Sequence, residues 1–439
     1  MTTTFPDHGS LAPDPGSATA CIFRKVDISL HNTEKEAAVS LDDLVTELDR
    51  RLVAADAALT ADYRGDRGVR QPVHTVYVPA DRYDVRTVED WGAQARAALD
   101  KYGGSAAELA TVLDLPDELA DDVYDRVRAK LEREPIEDLR IDFEDGYGNR
   151  PDDEEDAAAI AAAQVFAAGK QTPYQGLRIK SLEAPTRRRS VRTLDLFLKH
   201  LGAIDDGFVI TLPKVTSVEQ VEAMVLVLET LERQGSLPPL KFEIQVETPQ
   251  AILGADGTAL IARMIKAGGE RVTGLHYGTY DYSASLGVAA AYQSMEHPVA
   301  DHAKDVMQLA AAGTGVFVSD GSTNVLPVGD AVHDAWRLHF RLVRRSLARG
   351  IYQGWDMHPA QLPTRFAATY LFYREGFDQA AQRLRAYLGE GESGYLDEPA
   401  TAAALAGFVL RGIECGAIET SEFDTTDLAK LARRAVPES

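Results

Sequence analysis

Eight short apolar runs, each suited to a β-strand and most of them followed by a stretch of helical period, recur in order along this chain of 439 residues. They are β1 at Val73–Pro79, β2 at Leu139–Glu144, β3 at Leu177–Lys180 and β4 at Phe208–Pro213. The second half supplies β5 at Phe242–Glu247, β6 at Val272–Gly278, β7 at Gly315–Ser319 and β8 at Ile351–Met357. Helical periodicity between them is clearest in Val218–Arg233 and Thr258–Ala267. Strands that alternate with helices pair in parallel, and eight such units close into a (β/α)8 TIM barrel. In that fold the chemistry gathers where the strands end.

A barrel of this kind needs about 250 residues, so the chain has room for additions. Three are expected. A polar tail and an amphipathic helix at Ser40–Ala58 occupy residues 1–72. Between β1 and β2 the segment at about 84–137 is too long for one crossover, and Leu109, Val112, Leu113 and Leu115 recur at helical spacing, so it predicts an inserted subdomain of two or three helices. The barrel proper then runs over 73–363. Residues 364–439 predict a helical extension, with a flexible turn at Gly389–Gly394.

Composition bounds the partners. The chain carries 46 basic against 68 acidic residues, a formal charge of −22, which disfavours nucleic acid and anionic membranes. A local arginine or a metal ion can still invert the field inside a site that binds a small anion. Cys21 and Cys415 are the only cysteines, too few for a disulfide framework. No apolar run approaches the length of a membrane span, and Met1–Ser17 lacks the pattern of a signal peptide. A cytoplasmic protein is the expectation.

The strand ends carry the charge. Glu247 closes β5 and Asp281 follows β6, which places two carboxylates on neighbouring strands at one rim. Facing carboxylates repel unless a proton or a cation lies between them, so a Mg²⁺ site, with Mn²⁺ as an option, is the natural reading. Glu144 and Asp145, in the run Asp142-Phe143-Glu144-Asp145, are candidates for proton transfer or for water held near the metal. Arg178 within β3 is costly to bury without an anion, which suggests a carboxylate clamp; Lys180 shares its face. Lys214 after β4 could help hold a substrate anion, and Gln245 shares a strand face with Glu247. Asp320-Gly321-Ser322 and His358-Pro359 complete a ring of polar residues at strand ends. The basic run Arg187-Arg188-Arg189 with Arg192 reads first as a solvated face and second as a phosphate grip. The acids Asp152–Asp156 complement a helix N-terminus.

Taken together, these segments resemble the HpcH/HpaI aldolase and citrate lyase β-subunit-like superfamily. The resemblance spans about two-thirds of the chain, Val73–Pro363. It rests on Val78-Pro79-Ala80-Asp81-Arg82, Asp142-Phe143-Glu144-Asp145, Arg178, Leu212-Pro213-Lys214, Gln245-Val246-Glu247-Thr248-Pro249, Gly278-Thr279-Tyr280-Asp281 and Met357-His358-Pro359. It implies a metal-dependent barrel that cleaves or forms carbon–carbon bonds through an enolate. It also implies that Glu247 and Asp281 ligate Mg²⁺ and that Arg178 grips the substrate's oxygens in catalysis; from their places at the strand ends, Glu144 and Asp145 are further catalytic candidates and Arg82, Lys214, Gln245 and His358 candidates for substrate contact. Two departures stand out. HpcH-type aldolases place a histidine where Asp145 stands, so the acid resembles the citrate-lyase-like branch, many of whose members use acyl-CoA thioesters. The stretch His276–Tyr282 is unusually aromatic for the motif. The implied substrate is a small 2-oxo or hydroxy acid, free or as its CoA thioester, handled by a homo-oligomer. A phosphoryl-transfer enzyme of the phosphoenolpyruvate group and a non-catalytic regulatory barrel are the competing readings.

Overall fold

Each barrel strand turns one row of side chains outward to the helices and one row inward. The outward row is the apolar core: Val76, Val78, Leu139, Ile141, Leu177, Ile210, Leu212, Phe242, Ile244, Val246 and Leu275 are all buried against the surrounding helices. The computed structural model describes residues 40–169, 172–424 and 428–432. Strands run at His74–Pro79 (β1), Asp138–Asp142 (β2), Tyr174–Arg178 (β3), Phe208–Leu212 (β4), Lys241–Val246 (β5), Val272–Tyr277 (β6), Phe317–Ser319 (β7) and Gly354–Asp356 (β8). All pair in parallel in the order β7-β6-β5-β4-β3-β2-β1-β8. A parallel bridge between Ser319 and Gln353 joins the two ends, so the expected eight-stranded barrel is present.

The barrel interior departs from the usual branched apolar filling. From β2 come Asp138, Arg140 and Asp142, from β3 Arg178, from β5 Glu243 and Gln245, and from β6 His276, every one of them buried. The Arg140 guanidinium lies between Asp138 and Glu243, reaching Glu243 at 3.2 and 3.0 Å, and His276 Nε2 lies 2.9 Å from the same glutamate. Buried charge is tolerated only where it is paired in this way. The interior is therefore a column of ion pairs that ends, at the C-terminal rim, beside the candidate site.

The insertion comprises three helices, Thr87–Tyr102, Ala106–Leu113 and Asp117–Arg133. They share a second apolar core with the helices Val332–Ala348 and Leu362–Tyr387, centred on Trp336, Phe366 and Tyr370. Asp356 at the end of β8 fastens this layer to the barrel. It accepts from Arg365 at 2.9 Å and lies 2.6 Å from His74 Nδ1 and 3.0 Å from His339 Nε2. The extension continues through Pro399–Cys415, which Gly416 terminates at φ 84°, and Leu428–Ala432.

The chain divides into two units, residues 1–56 and 57–439. In the first, residues 41–56 belong to the helix Leu41–Asp62, none of whose residues is buried. The expected tail at Met1–Ser17, and Cys21, lie outside the described residues. No helix among the described residues is long and apolar enough to cross a membrane.

Candidate active site

At the C-terminal rim four acids from three segments gather around one lysine. Glu144 and Asp145 follow β2, Glu247 follows β5, and Asp281 stands in the first turn of the helix Thr279–Ser285 after β6. The lysine is Lys214. Its Nζ lies 2.9 Å from Asp145, 3.0 Å from Glu144 and 3.0 Å from Asp281, while its backbone N–H donates to Glu247 Oε1 at 2.7 Å. The expectation that Lys214 holds a substrate anion thus meets a different arrangement, with its charge taken up by the protein's own acids.

Glu247 is the deepest of the four, 1% exposed. Burial pushes its carboxyl up to about 8. Lys214 and Arg178 oppose that rise, and Glu144 and Asp281 add to it. Glycine at 278 makes its position possible: a Cβ there would lie 2.5 Å from Glu247 Cβ and 2.9 Å from its carboxylate. Gln245 Nε2 donates to the second carboxylate oxygen at 2.9 Å, as expected for a partner on the same strand face. Burial also raises the Glu144 carboxyl against the pull of Arg178. Asp145 is held low because hydrogen bonds to it outweigh its burial.

Arg178 ends β3 directly opposite Asp142 in the strand register. Its Nε and Nη2 donate to the two Asp142 oxygens at 2.7 and 2.6 Å, a fork-to-fork pair, and Nη1 donates to Gln245 at 3.2 Å. Tyr77 and Trp355 lie against the guanidinium, with ring centroids 4.8 and 5.6 Å from its central carbon. The clamp that the sequence suggests is therefore formed first with an internal carboxylate. Asp142 had been quoted only as part of a motif. Aligning β2 with β3 in register would have exposed it as the counter-ion of Arg178.

Other candidates fall elsewhere. His358 caps the turn Pro359–Gln361, with Nδ1 accepting from the Ala360 N–H at 3.1 Å and Gln361 answering in a capping box. Arg82 lines a cavity of about 280 Å³ at the ends of β1 and β8, with Trp91, Met357 and the same Tyr77 that lies against Arg178. Asp320 points away from the mouth and pairs with fully buried Lys304 at 2.9 Å. Lys180 donates to the Phe143 and Gly148 carbonyls and supports the β2 loop. In the basic run, Arg189 and Arg192 pair with Asp156, and Arg189 also meets Asp152 and Glu155, so these arginines join two helices rather than grip a phosphate. A cavity of about 660 Å³ opens at the opposite end of the barrel, where Asp138, Arg140, Glu243 and His276 are already satisfied by one another.

Among the described residues no three His, Cys, Asp or Glu side chains stand together as a ready metal-binding group. The donor chemistry nonetheless fits a hard divalent ion. Every side chain that gathers around Lys214 Nζ offers carboxylate oxygen, the donor that Mg²⁺ and Mn²⁺ take, and the cluster already closes on a positive charge.

Several solved structures are similar to this one. Protein CitE from Mycobacterium tuberculosis, in complex with magnesium and acetate, is 18% identical, with a TM-score of 0.43 over 78% of this chain and 98% of that one. Malate synthase from Haloferax volcanii, as its lead(II) complex, is 16% identical, with a TM-score of 0.46 over 84% and 90%. An HpcH/HpaI aldolase/citrate lyase family protein from Burkholderia cenocepacia J2315 is 14% identical, with a TM-score of 0.37 over 72% and 95%. The names include those of the superfamily that the motifs resemble, and the likeness is one of fold. No curated protein matches the chain. The sequence profile described as "Domain of unknown function (DUF6986)" matches residues 52–438, and the chain belongs to that family.

Proposed function

We propose that this protein is a divalent-metal-dependent carbon–carbon lyase or aldolase that acts on a small 2-oxo or 2-hydroxy acid or its CoA thioester. The observation that carries this reading is the gathering of four acids around one residue at the C-terminal rim, Glu144, Asp145 and Asp281 on the Lys214 ammonium and Glu247 on its backbone N–H, at the end where barrels of this kind do chemistry. Glu247 and Asp281 are the residues that would hold Mg²⁺ or Mn²⁺. Such an ion, when bound, supplies positive charge against the negative charge that develops on a 2-oxo acid as the bond β to its carbonyl breaks.

The protein's own groups supply the rest. Arg178 is fixed by Asp142 and flanked by Tyr77 and Trp355, so its guanidinium meets an anionic substrate without first paying the entropy of being ordered. Glu144, whose carboxyl is raised by burial, is suited to exchange a proton with a substrate carbon or hydroxyl. Asp145, more exposed and held ionised, keeps Lys214 in place. Acid and base roles are thereby divided between adjacent carboxyls by their surroundings.

Proton NMR of pyruvate and acetyl-CoA in D₂O, with the protein and Mg²⁺, tests the reading. Mg²⁺-dependent loss of one methyl signal, abolished in Glu247→Gln, is the expected result, and the methyl that exchanges names the substrate class. Exchange that persists in Glu247→Gln or without metal overturns it.

A further inference from the structure

Lys214 is one of three non-glycine residues described with positive φ, at 50°. The other two, Asp114 and Ser236, are helix C-caps, where the left-handed conformation is routine. Lys214 caps nothing. It leaves β4 in a backbone conformation that costs a non-glycine residue free energy, and the gain is visible in its contacts. The turn aims its N–H at Glu247 and its ammonium at Glu144, Asp145 and Asp281, so a single residue answers all four acids of the cluster.

We propose that Lys214 is a resident competitor for the metal: its ammonium and a divalent ion both claim the Asp281 carboxylate, and loading the metal expels the side chain. This inference rests on the metal-site reading above and concerns its regulation. Mg²⁺ requires oxygens at about 2.0–2.1 Å in a near-octahedral shell. An ammonium 3.0 Å from Asp281, on the residue whose backbone N–H holds Glu247, already occupies one of the oxygens that shell would use. Two cations sharing one carboxylate repel, and Asp281 cannot turn the same lone pair to both. The way out is open, because the Lys214 side chain is 25% exposed while Asp145 and Asp281 are 58% and 49% exposed. Glu247 stays anchored by the Lys214 backbone N–H, which does not have to move when the side chain leaves. Metal affinity is then reduced by the small fraction of molecules in which the ammonium is already out.

Two measurements on the full chain test this. The first is acylation of lysines by an N-hydroxysuccinimide ester, read by peptide mass spectrometry with Lys199, an exposed lysine in the helix Arg187–His200, as internal reference. Labelling of Lys214 relative to Lys199 is expected to rise several-fold at saturating Mn²⁺. Labelling that is unchanged or slowed overturns the proposal, and it needs no variant. The second is Mn²⁺ titration calorimetry of wild type and Lys214→Met. Removal of the competitor is expected to tighten binding by about tenfold or more. Equal or weaker binding by the variant overturns the competition alone. Absence of Mn²⁺ binding by both proteins overturns the metal-site reading together with it.

Discussion

Replacing Glu247 by glutamine changes a charge and a hydrogen-bond pattern at once, and the two effects have opposite dependence on pH. The native carboxylate accepts at both oxygens, from the Lys214 N–H at 2.7 Å and from Gln245 Nε2 at 2.9 Å. A glutamine keeps one acceptor and turns an amide NH₂ toward the NH₂ of Gln245. Gln245 cannot flip to relieve this, because its Oε1 already accepts from Arg178. That donor–donor conflict costs about 1–3 kcal/mol. Against it stands the raised carboxyl, at about 8 in the folded chain against 4.5 in the unfolded one. Between those values the folded state holds the extra proton. The stability from this group is therefore complete below pH 4.5 and is lost as pH rises through 8, at up to about 1.4 kcal/mol per pH unit and on the order of 5 kcal/mol in total. Glu247→Gln has no such slope. In EDTA the variant is expected to be less stable than wild type near pH 5 and more stable near pH 9, with urea-unfolding curves that cross. A constant offset between the two proteins across that range would refute the reasoning. Mn²⁺ is expected to stabilise only the wild type at the higher pH.

Two further outcomes follow from buried charge elsewhere. Arg178→Lys keeps the positive charge but gives up one arm of the Asp142 fork and the stacking on Tyr77 and Trp355, so it should lose about 2–3 kcal/mol in urea unfolding; unchanged stability would show that the fork contributes nothing. At the foot of the C-terminal helices, burial holds the His339 imidazole below its ordinary 6.5 despite Asp356. The unfolded chain takes up that proton first, so this histidine's contribution is present above pH 6.5 and is lost as pH falls. The stability gap between wild type and His339→Gln should narrow between pH 7.5 and 5.5, and a gap that stays constant would refute it.

The fold was legible in the sequence because its signal lies on the outward faces of the strands. Val76, Ile141, Leu177, Ile210 and Ile244 sit where an apolar run must meet a helix, and all eight runs became strands. The ends were less clear. Glu144 and Lys180 were assigned to strands but lie beyond them, because the charge that marks a strand end does not say whether the chain has already turned. Asp281, read as following β6, stands in the first turn of a short helix. The helix Leu41–Asp62 runs past the expected Ala58, and its apolar side, from Leu41 to Leu59, is not buried.

What the linear pattern hid was pairing. A buried arginine is a demand for an anion, and sequence alone does not say whether the anion is a ligand or a neighbouring strand. For Arg178 the answer lies in the β2–β3 register, which sets Asp142 opposite it. For Lys214 it lies in a positive φ that no residue type announces. Both resolve in favour of internal partners, as do Arg140 with Glu243 and Lys304 with Asp320. A barrel with so many internal charges can keep the acids of its rim close together only if a cation or bound protons stay among them. On the proposal that a metal displaces the Lys214 side chain, the ion must bring at least the charge that Lys214 takes away. A divalent ion meets that condition with one charge to spare, and a monovalent ion only replaces what is lost.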